Sequence, residues 1–384
     1  MEDWRQGGFG LYLHWPYCVS KCPYCDFNSH VAAEVDPVRW QRAYLAEIAR
    51  VAAETPGRVL DTIYFGGGTP SLMPPDLVAA VIAAARGAWA ASNCLEITLE
   101  ANPNSAEAAK FAAYADAGVN RLSLGVQALN DADLRRLGRA HDLAEALRAL
   151  EIARATFPRL SFDLIYARQD QTPEDWRSEL ARALDLEPDH LSLYQLTVEE
   201  DTIFGRRHAA GRLTGLPDED RAAEMYLATE QACDAAGIPA YEVSNYARSG
   251  QESRHNLVYW RGGDYAGIGP GAHGRLTLEG RRIATSTLLA PRAWLEAVER
   301  RGSGEAPRAV LSPDERAEEF LLMGLRLREG ISIGRYHALA GRALPAAAVA
   351  DLAELGMVSI SGDRLAVTLA GRMVLNQVVR ALAA

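Results

Sequence analysis

Short apolar runs alternate with longer amphipathic stretches through the first half of the chain. Six runs read as strands: Phe9–Trp15, Val59–Phe65, Leu95–Leu99, Arg121–Val126, Leu160–Tyr166 and His190–Leu196. Most are short and rich in β-branched or aromatic residues, as buried parallel strands are. Between them, Pro37–Glu54, Pro75–Ala90, Ala106–Ala117, Leu143–Thr156 and Pro173–Leu186 are rich in Ala, Leu, Glu and Arg, which predicts helices. Asp36-Pro37, Ser105 and Thr172-Pro173 mark helix starts, where a side-chain oxygen caps free N–H groups or a proline opens the first turn. Six βα units in a row predict an α/β fold with a parallel sheet and helices outside it.

Polar and glycine residues collect where these strands end. Three cysteines follow the first strand, and Gly66-Gly67-Gly68-Thr69-Pro70 closes the second. Glu100-Ala101-Asn102-Pro103, Gln127 and Thr197 mark the ends of the third, fourth and sixth. In β/α barrels the strand C-termini build the active face, so a partial (β/α)6 barrel fits better than an open doubly wound sheet. Asp163 stands inside the fifth strand among apolar neighbours, and an inward carboxylate there needs a partner.

Beyond Thr197 the alternation weakens. Asp218–Ala236 predicts a helix, and Tyr241–Tyr246 a further strand. A loop then follows, Arg254-His255-Asn256-Leu257-Val258-Tyr259-Trp260 and the glycine-rich Gly262–Gly274; so long an irregular segment is usually functional. Gly302–Arg308 marks a boundary. The tail reads as helices at Pro313–Arg328, Gly334–Leu339 and Pro345–Leu355, a hairpin at Met357–Val367 and a helix at Ala370–Leu382, in the manner of a winged helix. Three regions result: a barrel over 1–200, an extension with the His255–Trp260 motif over 201–307, and a winged-helix-like domain over 308–384.

Composition narrows the function. The chain is 48% hydrophobic but has no apolar run long enough to cross a bilayer. Its N-terminus lacks a signal-peptide pattern, and a cytoplasmic location is expected. A net charge of −10 argues against a general nucleic-acid binder. The tail from Arg308 carries nine Arg against eight Asp plus Glu, too small an excess for DNA. Docking or a lid role suits it better. Five cysteines in a cytosolic chain do not form a disulfide framework, and Cys94 and Cys233 read as small buried hydrophobes.

Cys18, Cys22 and Cys25 are spaced C-x3-C-x2-C on one loop, a metal-ligand pattern. A structural zinc site wants four ligands, and His14 or His30 could supply the fourth. A cubane cluster also normally takes four cysteines, so three would leave one iron open to a small molecule.

The spacing together with Gly-Gly-Gly-Thr-Pro after the second strand resembles the radical S-adenosylmethionine superfamily. Ten segments, among them LYLHWPYC, KCPYCDF, YFGGGTPS, RLSLGVQ, HLSLYQLT, RHNLVYW and GIGPGAHG, resemble the group of oxygen-independent coproporphyrinogen III oxidase and its HemW-type relatives over nearly the whole chain. The resemblance implies a [4Fe–4S] cluster on Cys18, Cys22 and Cys25, with S-adenosylmethionine on the open iron. It implies that Tyr12 and Tyr24 flank this cofactor and that Gly67, Gly68 and Thr69 offer backbone to its methionine end. Glu100, Gln127, Arg139 and Asp163 would add polar contacts.

Within that group the oxidase pattern continues to a fourth cysteine, where this chain has Phe27, and carries a longer segment before the first strand. The H-N-x-x-Y-W pattern matches the HemW type. The resemblance therefore implies a haem chaperone, with an electron donor for the cluster and haem-accepting proteins as partners, respiratory haem proteins among them. Coproporphyrinogen decarboxylation is the alternative. His255 is the first candidate haem ligand and His273 the second, with Tyr259 and Trp260 against the porphyrin. One departure stands out: related sequences read FDLIYGLPGQT and this chain FDLIYARQDQT. Loss of two glycines is expected to change the loop after the fifth strand.

Overall fold

The computed structural model describes residues 3–31 and 35–383. Its main sheet has eleven strands. Six run parallel and in chain order: β1 (Phe9–Trp15), β2 (Val59–Gly67), β3 (Ala90–Ala101), β4 (Arg121–Gln127), β5 (Arg159–Tyr166) and β6 (His190–Gln195). The edge strand β7 (Asn245–Ala247) pairs antiparallel with β6. At the other edge β8 (Asp264–Ile268) lies parallel to β1. Strands β9 (His273–Leu278), β10 (Arg281–Ser286) and β11 (Ala309–Val310) continue antiparallel. The six expected βα units are present, and among the described strands no pairing closes the sheet into a full barrel.

The six parallel strands alternate in character. Leu11, Leu13, Ile63, Phe65, Leu122, Leu124, Phe162 and Leu191 are buried in the apolar core shared with the helices. The opposite face carries Tyr12, Thr62, Tyr64, Glu96, Glu100, Arg121, Asp163, His190 and Tyr194. Parallel strands covered on both faces are apolar throughout. Polar alternate positions therefore mean that this face lines a cavity. Tyr12, Tyr64, Glu100 and Asp163 keep part of their surface accessible although the sheet surrounds them, and Tyr194 is 43% exposed.

Helices begin where the caps require. Asp36 accepts hydrogen bonds from the N–H groups of Val38 and Arg39 ahead of Pro37–Glu54. Asp142 with Glu145, and Thr172 with Asp175, form reciprocal capping boxes.

Several expectations change. Cys94, read as a small buried hydrophobe, is exposed, whereas Cys233 is buried. β3 extends back to Ala90, beyond the apolar Leu95–Leu99 core that signalled it. The strand expected over Tyr241–Tyr246 is confined to Asn245–Ala247, because Glu242 accepts from Ser244 N–H and the Asn245 amide and bends the chain. Arg254–Trp260 is a helix, capped by Ser253 accepting from Asn256 N–H, and β8 occupies much of the glycine-rich stretch.

Pro313–Gly324, Ile333–Ala340 and Ala346–Glu354 are helices, and Ile331–Ser332, Val358–Ser361 and Arg364–Val367 form a small three-stranded sheet. They enclose an apolar cluster of their own, including Leu321, Ile331, Tyr336, Leu365, Val378 and Leu382. Ion pairs Asp3–Arg335 and Arg275–Glu319 fasten this module to the sheet.

Candidate functional site

The cysteine loop leaves β1 at the C-terminal end of the parallel strands, and all three thiols are partly buried. Thr69 donates its hydroxyl to Cys18 Sγ at 3.2 Å, and Arg139 directs an N–H to Cys22 Sγ at 3.5 Å. The same guanidinium donates to Asn102 Oδ1 and to the carbonyl of Gly125, while Asn102 Nδ2 donates to Thr69 Oγ1 at 3.4 Å. Arg139, Asn102 and Thr69 thus form one polar brace beneath two sulfurs. Burial pushes the thiols of Cys18 and Cys25 up, with the Thr69 hydrogen bond opposing it at Cys18. Tyr24, also on this loop, packs on Phe204, and burial pushes its phenol up strongly.

Neither histidine proposed beside the thiols points at them as a free ligand. Tyr12 O–H donates to His14 Nδ1 at 3.0 Å, and His14 Nε2–H donates to the Asn28 carbonyl at 2.9 Å. His30 Nε2 meets Asn28 Oδ1 at 3.1 Å. Among the described residues no three His, Cys, Asp or Glu side chains converge as a single-ion site. A four-iron cluster spreads its thiolates more widely than one zinc ion does.

The end of β2 lies against this loop. Gly68 N–H donates to the Trp15 carbonyl and Thr69 N–H to the Tyr17 carbonyl. A Cβ at Gly68 would stand 2.8 Å from the Tyr17 carbonyl oxygen and 3.1 Å from Cys18 Sγ. Gly67 has φ +112°, and a Cβ there would meet the His14 ring at 2.7 Å. Gln127, at the end of β4, is a non-glycine residue with φ +74°; held strain of this kind gathers at functional sites.

Deeper in the cavity Tyr64 donates to Glu100 Oε1 at 2.7 Å. Burial, reinforced by Asp163, raises the Glu100 carboxyl from 4.5 to about 7. Burial likewise raises Asp163 from 3.8 to about 6, against the pull of Ser192 and Arg121, and its Oδ1 is buried with no hydrogen-bond partner among the described residues. A carboxyl with a raised folded pKa adds stability in full below its unfolded value, and that stability is lost as pH rises through the folded value. Glu100→Gln is therefore expected to stabilise the cofactor-free protein by roughly 2 kcal/mol at pH 8 and to change little at pH 4.5. Urea unfolding at the two pH values measures it; an equal effect at both would contradict the raised carboxyl.

His255 lies below, at the N-terminal end of the strands, and is 1% exposed. Its Nδ1 pairs with Thr62 Oγ1 and its Nε2 with Tyr259 O–H, each at 2.7 Å. The ring stacks on Tyr64 at 4.8 Å between centroids, and burial lowers its pKa to about 3. With both nitrogens occupied it serves as the floor of the cavity and does not offer a ligand to iron in this arrangement. His273, by contrast, is exposed at the start of β9. The structure thus gathers Cys18, Cys22, Cys25, Thr69 and Arg139 at the rim, sets Glu100 and Asp163 deeper, and keeps His255 apart.

In the loop after β5 two non-glycine residues take the left-handed backbone that glycine adopts freely. Ala167 has φ +57° and Asp170 φ +60°. Arg168 anchors the loop in this conformation. Its buried guanidinium reaches Asp133, Glu179 and the Ile165 carbonyl, while Asp170 N–H donates to the Gly215 carbonyl. An L-residue in the left-handed region costs roughly 1 kcal/mol. Ala167→Gly is expected to raise the unfolding free energy by about that amount, read as a higher urea midpoint with an unchanged slope.

Residues 12–183 match the Radical SAM superfamily, and residues 311–374 match the HemN C-terminal domain. The Escherichia coli (strain K12) protein named Heme chaperone HemW is 42% identical over 289 residues, covering 74% of this chain and 75% of its own length. Its Mycobacterium tuberculosis namesake is 36% identical over 378 residues, covering 97% and 94%. The chain belongs to the HemW group of radical SAM proteins. Radical S-adenosyl methionine domain-containing protein 1, mitochondrial, of Bos taurus is 42% identical over 84% of this chain and 74% of its own. The solved structure of coproporphyrinogen III oxidase (HemN) from Escherichia coli superposes with a TM-score of 0.81 over 98% of this chain and 90% of that one. At 22% identity that likeness shows a shared fold.

Membership of the radical SAM superfamily implies a [4Fe–4S] cluster and S-adenosylmethionine. The residues present fit such a pair. Three thiols share one loop, and two of their sulfurs receive N–H or O–H donors. Arg139 Nε and Asp163 Oδ1 are buried polar atoms with no hydrogen-bond partner among the described residues, and the glycine cradle has no room for a Cβ. Sequence reasoning missed Asn102 and Tyr64. Asn102 lay in plain view beside Glu100, but only its bridge between Arg139 and Thr69 gives it a part. Among the described residues no helix is long and apolar enough to cross a membrane.

Proposed function

We propose that this protein is a haem chaperone that carries a [4Fe–4S] cluster on Cys18, Cys22 and Cys25, with S-adenosylmethionine bound at the same site, and passes haem to acceptor proteins. The observation that carries the reading is 36% identity, over 97% of this chain, to a protein named Heme chaperone HemW. Phe27 supports it: the side chain at the position of the oxidase's extra cysteine is 56% exposed at the loop surface.

In this reading Gly67, Gly68 and Thr69 hold the methionine end of S-adenosylmethionine, and Tyr12 and Tyr24 flank it. Glu100, Gln127, Arg139 and Asp163 meet its polar groups. A bound cluster supplies one-electron chemistry and needs an electron donor. Arg139 and Thr69 steady two thiolates through charge-assisted and neutral hydrogen bonds. The division at 200 and 307 assigns the cofactors to the first part and leaves the second and third to cargo and partners.

Anaerobically reconstituted protein is expected to bind about one haem per chain, followed at the Soret band, and to transfer it to an apo-haem protein. Absence of stoichiometric binding rejects the chaperone. Incubation with coproporphyrinogen III, reductant and S-adenosylmethionine is expected to yield no protoporphyrinogen IX; its formation at turnover would favour the decarboxylase instead.

A further inference from the structure

At the end of the parallel strands opposite the cysteine loop, a cleft separates the main sheet from the C-terminal module. It encloses about 190 Å³, and about 800 Å³ with its open mouth. Tyr259, Tyr265 and Phe320 form its apolar wall, the two tyrosines edge to face at 4.3 Å between centroids. Such surfaces accept a flat aromatic body.

The charge on the other walls is unbalanced. Two carboxylates reach the cleft, Asp3 and Glu319, and each is held by an arginine of its own, Arg335 at 2.7 Å and Arg275 at 2.9 Å. Asp264 beneath the cleft serves two arginines, Arg58 and Arg282, so one positive charge remains over. Arg316 lines the cleft; its backbone N–H donates to the Ser312 carbonyl, and its guanidinium has no ion pair or hydrogen bond among the described residues. Arg316 at the wall, with Arg282 sharing Asp264 with the more deeply placed Arg58, therefore leaves net positive charge around one small cavity in a chain of net charge −10. A half-buried guanidinium left unpaired beside an aromatic wall suits a ligand carboxylate, which it can take bidentately.

We propose that this cleft receives the carboxylate-bearing edge of a tetrapyrrole. Arg316 holds a carboxylate, the surplus charge of Arg58 and Arg282 lies behind it, and Tyr259 and Tyr265 cover the ring. The proposal rests on the haem-carrier reading and adds the place of the cargo. The enclosed volume is smaller than a whole macrocycle, so part of the ligand stays outside, where an acceptor can reach it. Tyr259 also joins the cleft to the cavity floor, since its hydroxyl meets His255 Nε2.

The test compares haem with haem dimethyl ester, whose carboxylates are blocked, by Soret titration of the full-length reconstituted protein. The unaltered protein is expected to bind haem about tenfold more tightly than the ester, the worth of one charge-assisted contact. Arg316→Ala and Arg316→Gln are expected to bring haem to the level of the ester and leave the ester unchanged. Equal affinity for haem and ester in the unaltered protein, or haem binding untouched in both variants, overturns the cleft while the chaperone reading stands. An equal loss for haem and ester in both variants also overturns it. No haem binding by the unaltered protein rejects both.

Discussion

Cys22→Ser is expected to remove the cluster while leaving the fold. Iron in the reconstituted variant should fall from about four atoms per chain to a trace, with loss of the brown absorption, because two thiolates cannot hold a cubane that normally takes four cysteines. Cys22 is also the sulfur that Arg139 reaches, so the brace to Asn102 loses its outer contact. The fold has little at stake: the residue sits on an irregular loop, and its carbonyl, which accepts from Cys25 N–H, is unaffected by the substitution. Iron and sulfide analysis beside circular dichroism measures both halves. Full iron content in the variant would move the cluster elsewhere. The position of the cargo adds a second readout: with the cleft at the far end of the strands, haem titration of the variant should remain close to that of the unaltered protein.

Gly67→Ala is expected to abolish S-adenosylmethionine binding and to destabilise the chain by roughly 2 kcal/mol, the sum of left-handed strain and a close contact. At φ +112° any side chain is strained, and the added Cβ would lie 2.7 Å from the His14 ring and 2.8 Å from the Trp15 carbonyl. Neither neighbour can yield easily. His14 is tied to Tyr12 and to Asn28, and the Trp15 carbonyl accepts from Gly68 N–H. The disturbance therefore reaches Tyr12 on the cavity wall. Equilibrium binding of the cofactor and thermal unfolding measure the two effects. A variant that binds S-adenosylmethionine normally would remove this turn from the cofactor site.

Much of this was legible because one residue type sufficed for each inference. Thiols at C-x3-C-x2-C declare a ligand set, and three consecutive glycines declare close backbone approach. The order of the six strands followed from short apolar runs separated by capped helices. What escaped depended on partners distant in the chain. The Arg254–Trp260 segment looked like a loop because glycines follow it, yet His255, Val258 and Tyr259 recur at i, i+3 and i+4 and share the side packed against β1 and β2. His255 looked like a free imidazole, and only the folded chain supplies Thr62 and Tyr259 to both its nitrogens. Arg168 looked like a disturbance of a glycine loop, whereas Asp133 and Glu179 draw its guanidinium inward and hold that loop in shape. The polar faces of the strands were equally open to reading, for Glu96, Thr98 and Glu100 alternate with Ile97 and Leu99.

The floor beneath that polar face has a consequence for protons. His255, Thr62, Glu96, Arg121 and His190 are all buried toward the N-terminal end of the strands, so the polar face is closed from below. Because burial puts Glu100 at about 7 and Asp163 at about 6, any ligand seated against them near neutrality changes their proton content as it binds.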